Sequence, residues 1–221
     1  MMQLSGEDDD PLEKNHNIDG PPGDSEQMSP FIDTFQQWSY AMRRNMQEVI
    51  RGLYLGPYSA ACKDKLQTLL DCGISHIVCV RQSIEAHFIK PNFPDKFKYL
   101  VLDIADSKTE NIIQHFRLVK RFIDEGLNSG GRVLVHGNAG MSRSAALVLA
   151  YLMETFDLTQ ERAFAIVLKR RFCVNPNSGF IRQLREFEPI YQAQRHSISE
   201  QIIRRKRSLH MTDSDIEIAD S

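Results

Sequence analysis

The residues best suited to chemistry lie in one glycine-rich stretch, residues 132–146, with the sequence R-V-L-V-H-G-N-A-G-M-S-R-S-A-A. Gly137 and Gly140 allow the backbone to turn its N–H groups inward, and Arg143 adds a planar fork of donors that suits bidentate phosphate binding. A loop that leads into a helix also gains from the helix dipole, which favours negative charge. The stretch therefore predicts a binding site for a phosphate dianion.

The flanking residues predict that this loop joins a buried strand to a helix. Residues 133–135 form a continuous apolar run, as in a strand buried on both faces, and residues 143–153 are rich in strong helix formers. A plain turn between a strand and a helix also uses glycine. The glycines alone therefore do not decide between a binding loop and a simple turn.

The whole string resembles the signature loop of the protein tyrosine phosphatase superfamily, H-C-x-x-G-x-x-R-S, and its A-G-M-S-R-S-A portion resembles the dual-specificity branch. His136, Gly140, Arg143 and Ser144 fall on the family's positions, whereas Gly137 stands where the family has its nucleophilic cysteine. Within that branch the chain resembles most the catalytically inactive members that also have glycine there. The family's reaction needs a thiolate that attacks phosphorus, and glycine has no side chain to do so.

The resemblance implies further site residues. In dual-specificity phosphatases a general-acid aspartate lies about thirty residues before the nucleophile, and Asp106 matches this position, although a D-S pair before a capping box also suits a helix start. Asn177 matches the family's segment before its last helix and equally suits a plain N-cap. The expected phosphate-binding residues are Gly137, Asn138, Ala139, Gly140, Met141, Ser142 and Arg143, with His136, Ser144 and Asn177 in support.

The order of apolar runs and helical segments predicts an α/β fold with a central, mostly parallel sheet flanked by helices. We expect a hairpin around Gly52 and strands at residues 76–80, 99–104 and 133–135, and helices at residues 59–72, 107–128, 143–153, 159–172 and 177–194. Ligands in such sheets bind beyond the carboxyl ends of the strands, where the glycine-rich loop lies.

The resemblance to dual-specificity phosphatases covers residues 36–194, which are expected to form one domain. Residues 1–35 are acidic and poor in large apolar side chains, and they are expected to be disordered. Residues 195–221 are expected to form a flexible tail that contains the basic run R-R-K-R at residues 204–207.

Composition limits the classes of function. The chain has 221 residues, 42% of them hydrophobic and 25% charged, and a net charge of −2, which suits one globular domain. The sequence lacks a membrane-span-length apolar run, a signal peptide and a large basic excess, so we expect an intracellular protein with neither membrane nor nucleic acid as partner. No metal or cofactor is expected, since the four cysteines lack C-x-x-C pairing and suit buried thiols: Cys62, Cys72, Cys79 and Cys173.

The resemblance implies a pseudophosphatase that binds phosphorylated Ser, Thr or Tyr proteins or their kinases and modulates mitogen-activated protein (MAP) kinase signalling. Two alternatives stay open: a phosphate-independent scaffold that docks through its outer surface or tails, and a weak residual phosphatase that uses water with Asp106 as acid. The run at residues 204–207 suits a nuclear localisation signal, a kinase-docking motif or a plain solvated tail. We therefore expect cytoplasmic and nuclear localisation, with phosphorylated proteins and MAP kinases as partners.

Overall fold

A computed structural model describes residues 29–32 and 37–216, and a five-stranded sheet forms its centre. The strands follow the order β1-β2-β5-β3-β4, and all neighbours are parallel except the β1–β2 hairpin. The predicted α/β fold with a mostly parallel sheet is confirmed. The strands are β1 (Gln47–Ile50), β2 (Leu53–Pro57), β3 (Ile74–Arg81), β4 (Lys98–Asp103) and β5 (Arg132–Gly137).

Helices cover the sheet, and the most buried of them is α3. All of its residues from Arg143 to Met153 are buried, because its apolar, alanine-rich sequence has no polar face to present to water. The helices are α1 (Leu66–Asp71), α2 (Phe116–Asn128), α3 (Arg143–Phe156), α4 (Gln160–Arg170) and α5 (Ser178–Ile216). Short 3₁₀ helices lie at Tyr40–Arg44, Tyr58–Ala61, Lys63–Lys65, Ser83–Glu85 and Ile113–His115.

Strand β5 lies in the middle of the sheet, between β2 and β3, and places the glycine-rich loop at the centre of one edge. Val133, Leu134 and Val135 have no solvent exposure, as their unbroken apolar run predicts. Because β5 is parallel to both neighbours, its carboxyl end meets theirs at one edge of the sheet. The loop that follows β5 therefore has walls supplied by the loops after β2 and β3.

The helix predicted for residues 59–72 is wrong, because two 3₁₀ turns and the six-residue α1 take its place. Ser59 does not cap a helix, since its hydroxyl donates to the carbonyl of Arg44 at 3.0 Å. The side-chain amide of Asn92 donates to the carbonyl of Ala61 at 2.7 Å. These partners distant in the sequence take up polar groups that a continuous helix would need for itself.

The predicted start of the second helix at Ser107 is also wrong, since α2 begins at Phe116. The carboxylate of Glu110 accepts from the N–H of Ala105 at 3.3 Å instead of closing a capping box with Ser107. The side-chain oxygen of Gln183, on α5, accepts from the N–H groups of residues 112 and 113, at 2.9 and 3.2 Å. The side chain of Gln183 thus accepts hydrogen bonds from the backbone N–H groups that precede α2.

Regular structure continues beyond both ends of residues 36–194. Helix α5 does not end near Gln194 but runs to Ile216, because residues 195–216 contain neither glycine nor proline to stop it. Phe31 forms a β-bridge with Ile50 and packs its ring 5.0 Å from that of Phe156, so at least this part of the first 35 residues is not disordered. Residues 1–28, 33–36 and 217–221 lie outside the described residues, as do the side chains of the basic run.

The hairpin is confirmed, with Gly52 at its turn and a φ of +80°. The four cysteines are free thiols, but burial was predicted correctly only for Cys79, since the other three are half-buried. None of the described helices is long and apolar enough to cross a membrane.

Candidate phosphate-binding site

The loop between β5 and α3 is held so that its peptide N–H groups face inward. Four consecutive carbonyl oxygens accept hydrogen bonds from residues outside the loop: those of Asn138, Ala139, Gly140 and Met141. In a planar trans peptide, each carbonyl points opposite to the N–H of the next residue. The N–H groups of residues 139–142 therefore point into the loop and form a concave set of donors that suits an anion.

Backbone and side-chain donors hold these four carbonyls. The N–H groups of Tyr58 and Asn175 donate to the first and the last of them, at 3.1 and 2.9 Å. The guanidinium of Arg171 donates to the middle two, from Nη2 to Ala139 at 2.9 Å and from Nε to Gly140 at 2.8 Å. The shape of the loop thus depends on the scaffold around it and does not require a bound ligand.

Arg171 is a positioning residue that the sequence did not predict. Its side chain is fully buried and has no carboxylate partner among the described residues. Besides the two loop carbonyls, it donates to the carbonyls of Arg43 at 3.1 Å and Asn45 at 2.9 Å and to the side-chain oxygen of Gln47. One guanidinium therefore joins the loop to the Tyr40–Arg44 helix and to β1. No local signal reveals this role, because arginine is rarely fully buried.

Arg143, the first residue of α3, is held along one edge of its guanidinium. Its Nη1 donates to Glu85 Oε2 at 2.6 Å and to the carbonyl of Ile104 at 3.2 Å, and its Nη2 donates to Glu85 Oε1 at 3.1 Å. On the other edge, the nearest carboxylate to Nε is that of Asp106, at 4.0 Å. This second edge, formed by Nε and Nη2, can hold a phosphate through two parallel hydrogen bonds.

Glu85 is the second site residue that the sequence did not predict. Besides Arg143, it contacts the side-chain amide of Asn138 at 3.1 Å and the N–H of Gln82 at 2.7 Å. Burial raises the pKa of this carboxyl, but the hydrogen bonds from Arg143 and Gln82 outweigh burial and hold the pKa below its usual value. Glu85 is therefore ionised at neutral pH and orients Arg143.

Asp106 lies at the rim of the loop and is held by two of the predicted residues. The hydroxyl of Ser142 donates to Asp106 Oδ1 at 2.7 Å, and the side-chain amide of Asn177 donates to the same oxygen at 2.8 Å. The side-chain oxygen of Asn177 also accepts from the N–H of Phe180 at 3.0 Å. Asn177 thus combines the two roles that the sequence left open, because it caps α5 and positions a site residue.

The two predicted loop glycines differ in whether the backbone around them requires glycine. Gly140 has a φ of +66°, and a β-carbon there would overlap the carbonyl of Gly56, so the loop requires glycine at this position. Gly137 has no such φ, and a β-carbon there would lie 3.2 Å from the hydroxyl of Ser144 and 3.5 Å from the carbonyl of Val80. That hydroxyl is buried without a hydrogen-bond partner in the described structure. A small side chain at residue 137 is therefore compatible with the backbone and would face Ser144.

His136 lies beneath the loop rather than in its cavity. Its ring is fully buried, with its centre 5.8 Å from that of Tyr58. Burial lowers the pKa of His136 to about 4. The ring is therefore neutral at pH 7 and supports the loop from below.

The loop encloses a cavity of about 310 Å³, which is large enough for the head of a phosphorylated side chain. All the predicted phosphate-binding residues line this cavity, together with Asp106 and Ser144. Asn177 does not line the cavity but donates a hydrogen bond to Asp106, which does. The lining consists of Asp106, Gly137, Asn138, Ala139, Gly140, Met141, Ser142, Arg143, Ser144 and Asn175.

Comparison with known proteins places this site in a family. Residues 53–190 match the model of the dual specificity phosphatase catalytic domain. The serine/threonine/tyrosine-interacting protein of Mus musculus is 62% identical over 161 residues, which cover 73% of this chain and 72% of that protein. The Dictyostelium discoideum protein named MAP kinase phosphatase with leucine-rich repeats protein 2 is 44% identical over 140 residues, which cover 63% of this chain and 19% of that protein.

A solved structure is similar over the same region. The crystal structure of human tyrosine phosphatase-like serine/threonine/tyrosine-interacting protein is 62% identical, with a TM-score of 0.67, and the match covers 67% of this chain and 99% of that one. These relatives confirm the resemblance that the motifs predicted. The family match spans β2 to β5, the loop, α3, α4 and the start of α5, which together build the site. The chain therefore belongs to the dual-specificity phosphatase family.

Proposed function

We propose that this chain is a catalytically inactive phosphatase-like domain that binds phosphorylated Ser, Thr or Tyr side chains in the loop of residues 137–143. The observation that carries the proposal is the set of four outward-facing carbonyls, which turns consecutive N–H groups toward the cavity. The open edge of Arg143 adds two charge-assisted donors beside them. A phosphate dianion matches both the charge and the number of these donors.

The proposed inactivity follows from the absence of an activated nucleophile among the described residues that line the cavity. Gly137 has no side chain, and Cys79, whose backbone is paired with that of His136, is fully buried. Burial raises the pKa of the Cys79 thiol to about 12, so it provides no thiolate at neutral pH. The hydroxyl of Ser142 is engaged with Asp106. Loss of an activated nucleophile lowers the rates of covalent enzymes by several orders of magnitude, which disfavours a residual phosphatase.

The test of this function is calorimetric titration of phosphotyrosine, phosphothreonine and unphosphorylated peptides into the wild type and an Arg143→Lys variant. Lysine keeps a positive charge for Glu85 but lacks the planar fork. We expect binding that requires phosphate and that falls about tenfold in Arg143→Lys. The matched control is Arg132→Lys, since Arg132 also donates to a side-chain oxygen, that of Tyr54, but lies at the opposite end of β5.

Three outcomes decide between the functions considered. Phosphate-dependent binding that Arg143→Lys weakens and Arg132→Lys leaves unchanged supports the proposal. Binding of a partner protein that is equal with and without phosphate identifies the phosphate-independent scaffold instead. Hydrolysis of the phosphopeptides by the wild type, lost on Asp106→Asn, identifies a residual phosphatase.

We also propose that the partners belong to MAP kinase signalling and that the domain acts in both cytoplasm and nucleus. The name of the Mus musculus relative, an interacting protein, and that of the Dictyostelium discoideum relative, a MAP kinase phosphatase, support protein partners in kinase signalling. The support for nuclear entry or kinase docking is the basic run at residues 204–207, which lies on α5.

Changing all four residues at 204–207 to alanine is expected to reduce nuclear accumulation or co-precipitation of MAP kinases. Domain stability should stay unchanged, because the run lies beyond the family match, which ends at residue 190. The measurements are fluorescence imaging of the tagged chain and pull-down. The control is Arg182→Ala with Arg185→Ala, which removes exposed arginines nearer the start of α5. Equal localisation and equal pull-down in all three proteins would show that the run is only a solvated helix surface.

A further inference from the structure

The side-chain hydroxyl of Ser144 lies at the floor of the loop cavity, the side that Gly137 and Ser144 form. Ser144 is only 1% exposed and lines the cavity, and its Oγ is buried without a hydrogen-bond partner among the described residues. A β-carbon at Gly137 would lie 3.2 Å from this Oγ, so the hydroxyl faces the position that a side chain at residue 137 would fill. Buried hydroxyls are normally paired, and the cavity is where a partner can reach this one.

The carbonyls that most often pair with such a hydroxyl are turned away from it. A serine in a helix commonly donates to the carbonyl three or four residues earlier, which here is that of Met141 or Gly140. These two carbonyls accept from the N–H of Asn175 at 2.9 Å and from Nε of Arg171 at 2.8 Å, both outside the loop. Ser144 therefore lacks the bond that would direct its hydroxyl away from the cavity.

The hydroxyl of Ser144 completes a set of donors around the cavity. The N–H groups of residues 139–142 face the cavity from the wall, and Arg143 presents the edge of its guanidinium that Glu85 does not occupy. At the floor, Gly137 carries only hydrogen, so a ligand oxygen can approach the hydroxyl from within the cavity. A phosphate has several terminal oxygens and can accept from the wall and the floor at once.

We propose that Ser144 binds the phosphate directly, by donating a hydrogen bond from its hydroxyl to a terminal oxygen of the phosphorylated side chain in the loop. The inference rests on the proposed function, because it concerns the same ligand. The ligand is then a phosphate monoester that directs one terminal oxygen to the floor of the cavity. Glycine at residue 137 permits this contact, because a larger side chain there would stand between the hydroxyl and the ligand.

The experiment measures the affinity and the stability of Ser144→Ala together. Calorimetric titration of a phosphotyrosine peptide should show about tenfold weaker binding than in the wild type, as expected when a hydrogen bond to a charged group is lost. Inorganic phosphate, as a competitor of the fluorescently labelled peptide, should weaken by the same factor, because the contact is with the phosphate group. Urea denaturation should show no fall in the free energy of unfolding, since the hydroxyl has no protein partner to lose.

Gly137→Ala tests the geometry of the contact. Its methyl group would lie 3.2 Å from Oγ and cover the hydroxyl, so this variant should also bind more weakly, and adding Ser144→Ala should cause no further loss. The matched control is Thr155→Val, which removes a hydroxyl from the same helix about 16 Å farther along its axis. This control should bind the peptide as the wild type does.

The outcomes separate this inference from the proposed function. Weaker binding of both peptide and inorganic phosphate by Ser144→Ala, with the free energy of unfolding retained, supports the inference. Equal binding by Ser144→Ala and the wild type, a further tenfold loss on adding Ser144→Ala to Gly137→Ala, or a loss of affinity accompanied by lower stability overturns it. The proposed function stands in those cases as long as the wild type binds the phosphopeptide and Arg143→Lys weakens that binding. If the wild type binds neither phosphopeptide nor inorganic phosphate, the proposed function is wrong and this inference falls with it.

Discussion

At the scale of single residues, the proposed inactivity of the loop rests on Gly137. We expect Gly137→Cys to hydrolyse an artificial aryl phosphate that the wild type leaves unchanged. The new thiol would lie among inward-facing N–H groups and near Arg143, an environment that lowers the pKa of a thiol from about 8.5 toward about 3.5 to 7.5. The thiolate would attack phosphorus, and Asp106 would give its proton to the departing phenolate. Release of p-nitrophenol measures the activity.

Two companion variants separate chemistry from folding in this test. Gly137→Ala adds the same β-carbon, which should be accommodated by rotation of the Ser144 hydroxyl 3.2 Å away, but it adds no thiol and should be inactive. Gly137→Cys with Asp106→Asn should lose about 10²- to 10⁴-fold of the new activity, as for a positioned acid. A folded Gly137→Cys protein without turnover would mean that the site differs from that of active relatives by more than one residue.

The single residues also show what a sequence can reveal about a site. Arg143 and Asn177 could be predicted, because a planar cation after a glycine-rich loop and an N-cap are local signals. Glu85 could not, since it reaches Arg143 from a 3₁₀ helix 58 residues earlier in the chain. Arg171 could not either, because only the tertiary structure brings five oxygen acceptors around one buried guanidinium.

At the scale of elements, Arg171 connects α4, β1, the Tyr40–Arg44 helix and the loop. We expect Arg171→Met to lower the free energy of unfolding by about 3 to 5 kcal/mol, because buried oxygens that accept hydrogen bonds from Arg171 would be left without a donor. Phosphate binding should weaken as well, since two loop carbonyls lose their partners. Urea denaturation and phosphopeptide titration measure the two effects.

The matched control for this prediction is Arg162→Met, on the exposed side of α4, the helix that ends just before Arg171, and it should change the free energy of unfolding by less than about 0.5 kcal/mol. If Arg171→Met matched Arg162→Met in stability and bound phosphopeptide normally, the loop would be rigid without its outer donors. That result would contradict the positioning role of Arg171.

The elements predicted correctly from sequence are those whose signals are local. The unbroken apolar run of residues 133–135 defines β5, and Thr159 caps α4 by accepting from the N–H of Arg162 at 3.3 Å. The start of α2 was missed because Gln183, from another helix, takes the place of a local cap. Helix boundaries that depend on such distant partners are not encoded in the neighbouring sequence.

At the scale of the whole molecule, the loop of residues 137–143 and the hydrophobic core are joined through β5. The same strand carries Val133 to Val135 into the core and ends at Gly137 in the cavity, with the buried His136 between them. A change in the charge of His136 would therefore affect the folding of the entire domain as well as the loop above it.

Proton uptake by His136 is therefore coupled to folding. Because burial lowers the pKa of His136 to about 4, against about 6.5 in an unfolded chain, the unfolded state binds a proton first as the pH falls. The neutral ring contributes fully to the free energy of unfolding above about pH 6.5. This contribution, about 3 kcal/mol, is lost progressively as the pH falls to about 4. Carboxylates with a lowered pKa, such as Glu85, begin to lose their contribution only at the acid end of this interval, as the pH falls below the usual pKa of a glutamate. The measurement is therefore the difference between the wild type and His136→Gln, each unfolded with urea at pH 7 and at pH 4. We expect the variant to lose about 3 kcal/mol less than the wild type between these values. Equal losses in the two proteins would show that His136 takes up its proton without disturbing the fold.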